Sequence, residues 1–148
     1  MRILAKGAAY AEQKKFDPEV LVAMRLAPDM FPLLRQVRIA CDFAKGAAAR
    51  LAGEEPPQWE DSETTIADLQ ARIARTIEFI EGFDAARFDG AEARTVTLTI
   101  RGEQVEYAGL PYLAHVVLPN FFFHAATAYD ILRHAGVDLG KRDFIGKV

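Results

Sequence analysis

His124 is the side chain of this sequence whose type and setting are best suited to chemistry. The helical stripe that contains it, with steps of three and four residues, consists of Phe121, His124, Ala128, Ile131 and Ala135. Such spacing predicts an α-helix that faces a partner helix. Because an imidazole removed from water needs hydrogen-bond partners, two interpretations are open. His124 is a metal ligand or general base in an interhelical pocket, or it is a core histidine bonded to Gln36, Asn120 or a backbone carbonyl.

Three other polar side chains are candidates for the same pocket. Gln36, Asn120 and Tyr129 join His124 in the predicted ligand-binding set. The two amides either orient a small ligand or only satisfy each other and the backbone that Pro119 leaves unbonded. The sequence therefore predicts a polar pocket between helices, and it does not identify the ligand.

The other histidines and the cysteine have structural interpretations. His115 precedes His124 by nine residues, about 900° on a straight helix, so we expect it on the surface or against a hairpin. His134 falls in the last helical turn, where an imidazole suits the helix dipole. Cys41 lies in an apolar seam and is predicted to be a small buried side chain, since a nucleophilic role needs a neighbouring histidine and partial exposure.

Capping signals and periodicity predict the helices that position these residues. We expect helices over residues 3–15, 18–26, 29–53, 65–83 and 110–136. Asp29 is the expected cap of the longest helix, with Pro32 inside its first turn. Thr65 and Asp68 have the spacing of a capping box. Pro119 should kink or interrupt the last helix near His115.

The period changes from helical to alternating between Thr95 and Ala108, which predicts a β-hairpin with its turn at Arg101-Gly102. Since two strands alone are marginally stable, the hairpin should pack on one end of the helices. The elements together predict an all-α four-helix bundle with a short hairpin inserted before the last helix, in one domain of residues 1–148.

The predicted first helix is short for such a bundle. Its 13 residues span about 20 Å, whereas roughly 23 residues of the longest helix span about 35 Å. We expect either that the first helix is shortened at its N-terminal end in this sequence, or that a partner chain covers the remaining seam.

Composition limits the classes of partner. The 148 residues carry a net charge of −3 and are 51% hydrophobic, which is ordinary for a globular domain and argues against a nucleic-acid partner. A single cysteine excludes an internal disulfide. Because no apolar run is long enough to span a bilayer and no signal peptide is recognisable, we expect a cytoplasmic protein with no membrane partner.

Three segments of the chain resemble a known bacterial family. They are RLAPDMFPLLRQVRIACDFAKGAAARLAG, DLQARIARTIEFI and PNFFFHAATAYDILRHAGVDLGKRDFIG. The resemblance is to domain of unknown function 1993 (DUF1993), in the superfamily of DinB/YfiT-like four-helix bundles. It implies the bundle fold, a homodimer and a relation to metal-dependent enzymes.

The adjacent rings of Phe121, Phe122 and Phe123 point three ways around a helix, so some should face the hairpin or another subunit.

In the superfamily that this sequence resembles, three histidines hold the metal. One lies on the second helix, and the other two form an H-x-x-x-H pair on the last helix. His124 matches the second histidine of the pair, while Asn120 and Gln36 stand at the other two positions. Amide oxygens are weak ligands for zinc or nickel. We therefore expect a small-molecule-binding bundle without a cofactor. The alternative is a metal-dependent hydrolase or thiol transferase with a degenerate site, in which His124 would hold a divalent metal such as zinc or nickel.

Overall fold

The computed structural model describes residues 2–146, and its helices follow the predicted order. The helices are α1 (Arg2–Lys14), α2 (Glu19–Ala23), α3 (Leu33–Leu51), α4 (Ile66–Glu81), the single turn α5 (Gly109–Pro111), α6 (Leu118–His134) and α7 (Lys141–Ile145). A 3₁₀ turn at Ala85–Phe88 follows α4, and a π-helical segment at Tyr112–Val117 joins α5 to α6. The long helices α1, α3, α4 and α6 form the bundle. The predicted fold class is confirmed.

Strands β1 (Thr95–Ile100) and β2 (Glu103–Ala108) form the predicted antiparallel hairpin. At its turn, both Arg101 and Gly102 have positive φ angles, of 53° and 88°. Two successive residues of this conformation match the right-handed twist of the paired strands. Val96 is the buried residue of β1 and joins a small apolar cluster with Ala47 and Leu51 of α3. The hairpin thus packs on the C-terminal end of α3.

The main core fills the bundle between α1, α3, α4 and α6. Its fully buried large side chains include Leu4, Leu33, Leu69, Ile131 and Leu132. The predicted capping box is present at the start of α4, where Thr65 accepts from the Asp68 amide and Asp68 accepts from the Thr65 amide. No helix within residues 2–146 is long and apolar enough to cross a membrane.

The start of the longest helix differs from its prediction. Asp29 does not cap α3, which begins at Leu33 after Pro32 in an extended conformation. The physical reason is the ring of Pro32, which disfavours helical dihedrals at Phe31 and so delays the start of the helix. The second helix also ends at Ala23 rather than near Leu26.

The break in the last helix falls where Pro119 predicts it. The π-helical segment Tyr112–Val117 contains His115 and runs directly into α6, whose second residue is Pro119. A proline has no amide hydrogen to donate to the preceding turn. Close to this break the Asn120 side chain donates to the Val116 carbonyl oxygen at 2.7 Å.

Candidate functional site

Small side chains let α3 and α6 approach closely, and this contact positions the candidate histidine. Ala40 and Ala47 of α3 and Ala128 of α6 are buried. Small residues at facing positions allow two helices to pack with their backbones near each other. Gln36 and His124 extend into this interface from opposite helices, with 1% and 9% of their surface exposed.

His124 and Gln36 form a buried hydrogen-bonded pair. His124 Nδ1 lies 2.7 Å from Gln36 Oε1, and Gln36 Nε2 donates to the Phe31 carbonyl oxygen at 3.0 Å. Because the Phe31 carbonyl can only accept, it fixes the orientation of the Gln36 amide, and Oε1 must then accept from His124. The arrangement selects the tautomer that carries its proton on Nδ1.

The second nitrogen of His124 is the chemically available atom of the pair. Burial lowers the pKa of His124 below its ordinary value of 6.5, so the ring is neutral at pH 7. Nε2 makes no hydrogen bond within residues 2–146, and the residue as a whole is 9% exposed. The Phe43 ring stacks on the imidazole at 6.2 Å between centroids, and the Phe123 ring meets its edge at 5.2 Å. The site therefore presents one hydrogen-bond acceptor between aromatic rings.

Of the four predicted site residues, Gln36 and His124 are joined by a hydrogen bond. Asn120 lies one turn before His124, but its side-chain amide is bonded to the Val116 carbonyl. Tyr129 lies five residues after His124, about 140° around the helix, and its ring packs against Phe144 at 5.9 Å. His115 and His134 are exposed.

A separate cavity of about 520 Å³ lies between the long helices. Its walls are apolar stripes of α3, α4 and α6, completed by the start of α1 and by residues 143–146, and none of the four predicted site residues lines it. Burial raises the pKa of the Cys41 thiol at its wall, so this thiol is protonated at neutral pH. Thr76, beside it, donates its hydroxyl to the Arg72 carbonyl at 2.8 Å. Sequence reasoning did not identify this cavity.

A buried ion-pair cluster was also missed. The Arg72 side chain, only 2% exposed, contacts Asp42 at 3.0 Å and Glu63 at 2.9 Å. Burial alone would raise the pKa of Glu63, but hydrogen bonds from Arg72 and Arg38 outweigh it and hold that pKa below its usual value. The available signal was the spacing of Leu69, Arg72 and Thr76, which places a charge on the buried face of α4. Each charge has an opposite charge beside it, although the buried Arg72 Nε has no hydrogen-bond partner among residues 2–146, and we interpret the cluster as structural.

Comparisons with known proteins agree with this fold. The family model described as "Domain of unknown function (DUF1993)" matches residues 1–145. The chain belongs to this family. A solved structure of a DinB family member from Shewanella denitrificans is 44% identical, with a TM-score of 0.88; the match covers 99% of this chain and 83% of that one. No curated protein matches the chain. The resemblance predicted from the sequence is confirmed.

The side chains of this DUF1993 protein do not fit the metal site that its superfamily implies. Within residues 2–146, no three His, Cys, Asp or Glu side chains are grouped so that they could hold a metal ion. Gln36 Oε1 is engaged by His124, and the Asn120 amide is bonded to the backbone. Only His124 Nε2 is left as an imidazole donor, whereas zinc and nickel need several. No metal-dependent step is derived from this donor set.

Proposed function

We propose that this DUF1993 protein binds a small molecule at His124, in the contact between α3 and α6. The observation that carries the proposal is the bonded chain from the Phe31 carbonyl through Gln36 to His124, which leaves one oriented acceptor at Nε2. A neutral, tautomer-locked imidazole accepts a hydrogen bond from a hydroxyl or N–H group. The rings of Phe43 and Phe123 supply the apolar contact for the body of the ligand.

The chemistry of the site fits a compact aromatic or alicyclic alcohol or amine. One hydrogen bond contributes about 1 kcal/mol. Burying about 100 Å² of apolar ligand surface adds about 2.5 kcal/mol. Because association also costs translational and rotational freedom, the sum of about 3.5 kcal/mol is an upper limit, and the dissociation constant of such a probe should be a few millimolar or weaker. A fragment-sized probe should therefore bind weakly, and a larger natural ligand more tightly.

We further propose that the protein is a homodimer whose interface includes the outer face of α6. Leu118, Phe122 and Phe123 are 40%, 52% and 57% exposed there. Large apolar side chains grouped on a surface are typical of protein–protein contacts. Because Phe123 also contacts the His124 ring, a second copy that covered these side chains would lie next to the proposed ligand site.

Histidine-labelled protein provides the test. Protein carrying ¹³C-histidine is titrated with phenol, benzyl alcohol and indole at millimolar concentration. We expect at least one probe to shift the ring signals of His124 and not those of His134. The variant His124→Phe should lose this binding, whereas the matched variant His134→Phe should keep it. Absence of any shift at His124, or binding that survives His124→Phe, would contradict the proposal.

The same samples test the metal-dependent alternative. Zinc chloride and nickel chloride are titrated into the wild-type protein and into His124→Phe. The degenerate donor set predicts no stoichiometric binding by either ion. About one ion bound per chain, lost on His124→Phe, would replace the small-molecule proposal with the metal-dependent one.

A further inference from the structure

Small side chains of two helices line the cavity of about 520 Å³. They are Ala40 and Ala44 of α3 and Ala125 and Ala128 of α6, and a larger residue at any of these positions would fill part of the space. Protein interiors pack densely, and few of their voids exceed the size of a water molecule. Ligand sites, by contrast, have volumes of about 300 to 1,000 Å³. The volume is therefore that of a binding site rather than of a packing defect.

Five helices contribute walls to this cavity. Apolar stripes of α3, α4 and α6 form most of it, and the rest comes from residues 2–4 of α1 and from Asp143, Phe144 and Gly146. The Phe144 ring is held by the Tyr129 ring, which it meets edge-on at 5.9 Å. Two of the apolar wall residues, Ile77 and Phe144, are 43% and 37% exposed. The cavity therefore reaches solvent where these side chains lie.

The polar groups of the walls are already engaged. Thr76 donates its hydroxyl to the Arg72 carbonyl at 2.8 Å, and burial raises the pKa of the Cys41 thiol, which stays protonated at neutral pH. The Asp143 carboxylate accepts from Lys6 Nζ and from the Gly140 amide, both at 2.9 Å.

The one cation among the described lining residues is paired as well. Arg2 Nε lies 3.4 Å from the Asp143 carboxylate. A charged group of a ligand would lose its water in this cavity and find no uncommitted partner of opposite charge on the walls. The walls therefore select an uncharged, apolar molecule.

The dimensions of the cavity indicate the shape of that molecule. The stripes of the three long helices cover residues 37–44, 73–80 and 121–128, each about 10 Å long at 1.5 Å per residue. A volume of about 520 Å³ over this length gives a cross-section of about 50 Å². Because carbon atoms pack at about 4 Å, a single alkyl chain would fill less than half of that section. Rings fill it better.

We propose that this cavity binds an uncharged, ring-containing apolar molecule of about 15–20 non-hydrogen atoms. The size follows from dry protein cavities of about 150 Å³, which admit benzene. Aliphatic side chains such as Ile73 and Ile77 would contact the faces of the rings, and Phe121 and Phe144 would meet their edges. His124 does not line the cavity. The proposal is thus independent of the ligand site at His124, whose ligand needs a hydrogen-bond donor.

Two dyes with the same ring system test the chemistry. N-phenyl-1-naphthylamine is uncharged, and 8-anilino-1-naphthalenesulfonate carries an added sulfonate. In fluorescence titrations of the full chain at pH 7, the neutral dye should bind with a blue-shifted, enhanced emission. The sulfonate dye should bind at least about tenfold more weakly, because its charge would be desolvated. A smaller difference, or no binding of the neutral dye, would overturn the proposal.

A matched pair of variants in α6 tests the location. Ala125→Phe places a ring inside the cavity and should weaken binding of the neutral dye at least about tenfold. Ala126→Phe makes the same change at the next residue, which is also half-buried but does not line the cavity, and should leave the affinity unchanged. Melting curves establish that both variants are folded. Binding retained by a folded Ala125→Phe protein would overturn the proposal.

A second variant pair avoids the interior. Ile77→Asp changes an exposed wall residue and should weaken binding of the neutral dye at least about tenfold, since the new carboxylate opposes contact with an apolar ligand. Val20→Asp, at a 53% exposed position of α2 away from the cavity, should have no effect. His124→Phe should also leave the affinity unchanged. Unchanged binding in Ile77→Asp, or loss of binding in His124→Phe, would contradict the assignment to this cavity.

Discussion

Replacement of Gln36 by leucine removes both hydrogen bonds of the chain that orients His124. Gln36 is 1% exposed and makes two hydrogen bonds, from His124 Nδ1 and to the Phe31 carbonyl. Leaving the His124 donor buried and unpaired costs about 1–3 kcal/mol, and the lost bond to Phe31 costs about 1 kcal/mol more.

The leucine side chain offsets part of this loss. It fits a similar volume, and its burial returns about 1.5 kcal/mol. We therefore expect Gln36→Leu to lower the free energy of unfolding by about 1–2 kcal/mol, measured by urea denaturation at pH 7. The control is Gln70→Leu, which changes a half-buried glutamine of α4 and should alter stability by less than about 0.5 kcal/mol.

A double variant sharpens the interpretation. With Gln36→Leu and His124→Leu combined, no unpaired imidazole donor remains, so part of the lost stability should return. If Gln36→Leu alone is as stable as the wild type, the pair does not hold His124 in place and the proposed site loses its basis.

Three further predictions concern the pH dependence, the ion-pair cluster and a close backbone contact. Burial depresses the pKa of His124 in the folded protein below 6.5, so at pH values between the folded and unfolded pKa the unfolded chain binds more protons. The free energy of unfolding should therefore fall as the pH drops below 6.5. In urea titrations from pH 7.5 to 5, His124→Phe should remove this part of the pH dependence. Arg72→Met leaves Glu63 without one of its cations and should lower the free energy of unfolding by about 3 kcal/mol. The control Arg75→Met, at an exposed position, should lower it by less than about 1 kcal/mol. Equal losses in the two variants would contradict the buried role of Arg72. At Gly109 an added Cβ would collide with the Ala91 carbonyl oxygen, so Gly109→Ala should lower the melting temperature by at least about 5 °C, whereas Gly140→Ala, with open space around it, should change it little.

Local chemistry explains which elements could be predicted from the sequence. The box of Thr65 and Asp68 uses side-chain bonds to amides within four residues, so its spacing is visible in the sequence. The hairpin is equally local, because alternation and the Arg101-Gly102 turn fix its register. The start of α3 was misplaced because the restriction that Pro32 imposes on the preceding residue outweighed the capping tendency of Asp29.

The site was only partly predictable, because its contacts join distant residues. The bond between Gln36 and His124 spans 88 positions. Gln36 was among the partners considered from the sequence because it stands at the position of the second-helix histidine in the superfamily that the chain resembles. The position of Tyr129 against Phe144 depends on where the C-terminal segment folds back, and no periodicity encodes that. Arg72 was overlooked because its charge is compatible with the surface until its partners in the preceding loop are known.

The ring nitrogens of His124 offer the most direct test of the proposed site. A long-range ¹H–¹⁵N spectrum of ¹⁵N-histidine-labelled protein at pH 7, assigned with His124→Phe, distinguishes the two neutral tautomers from the charged form. The structure predicts a neutral ring with the proton on Nδ1 and a free lone pair on Nε2. A charged ring, or a proton on Nε2 instead, would contradict the hydrogen-bond chain on which the proposed site depends.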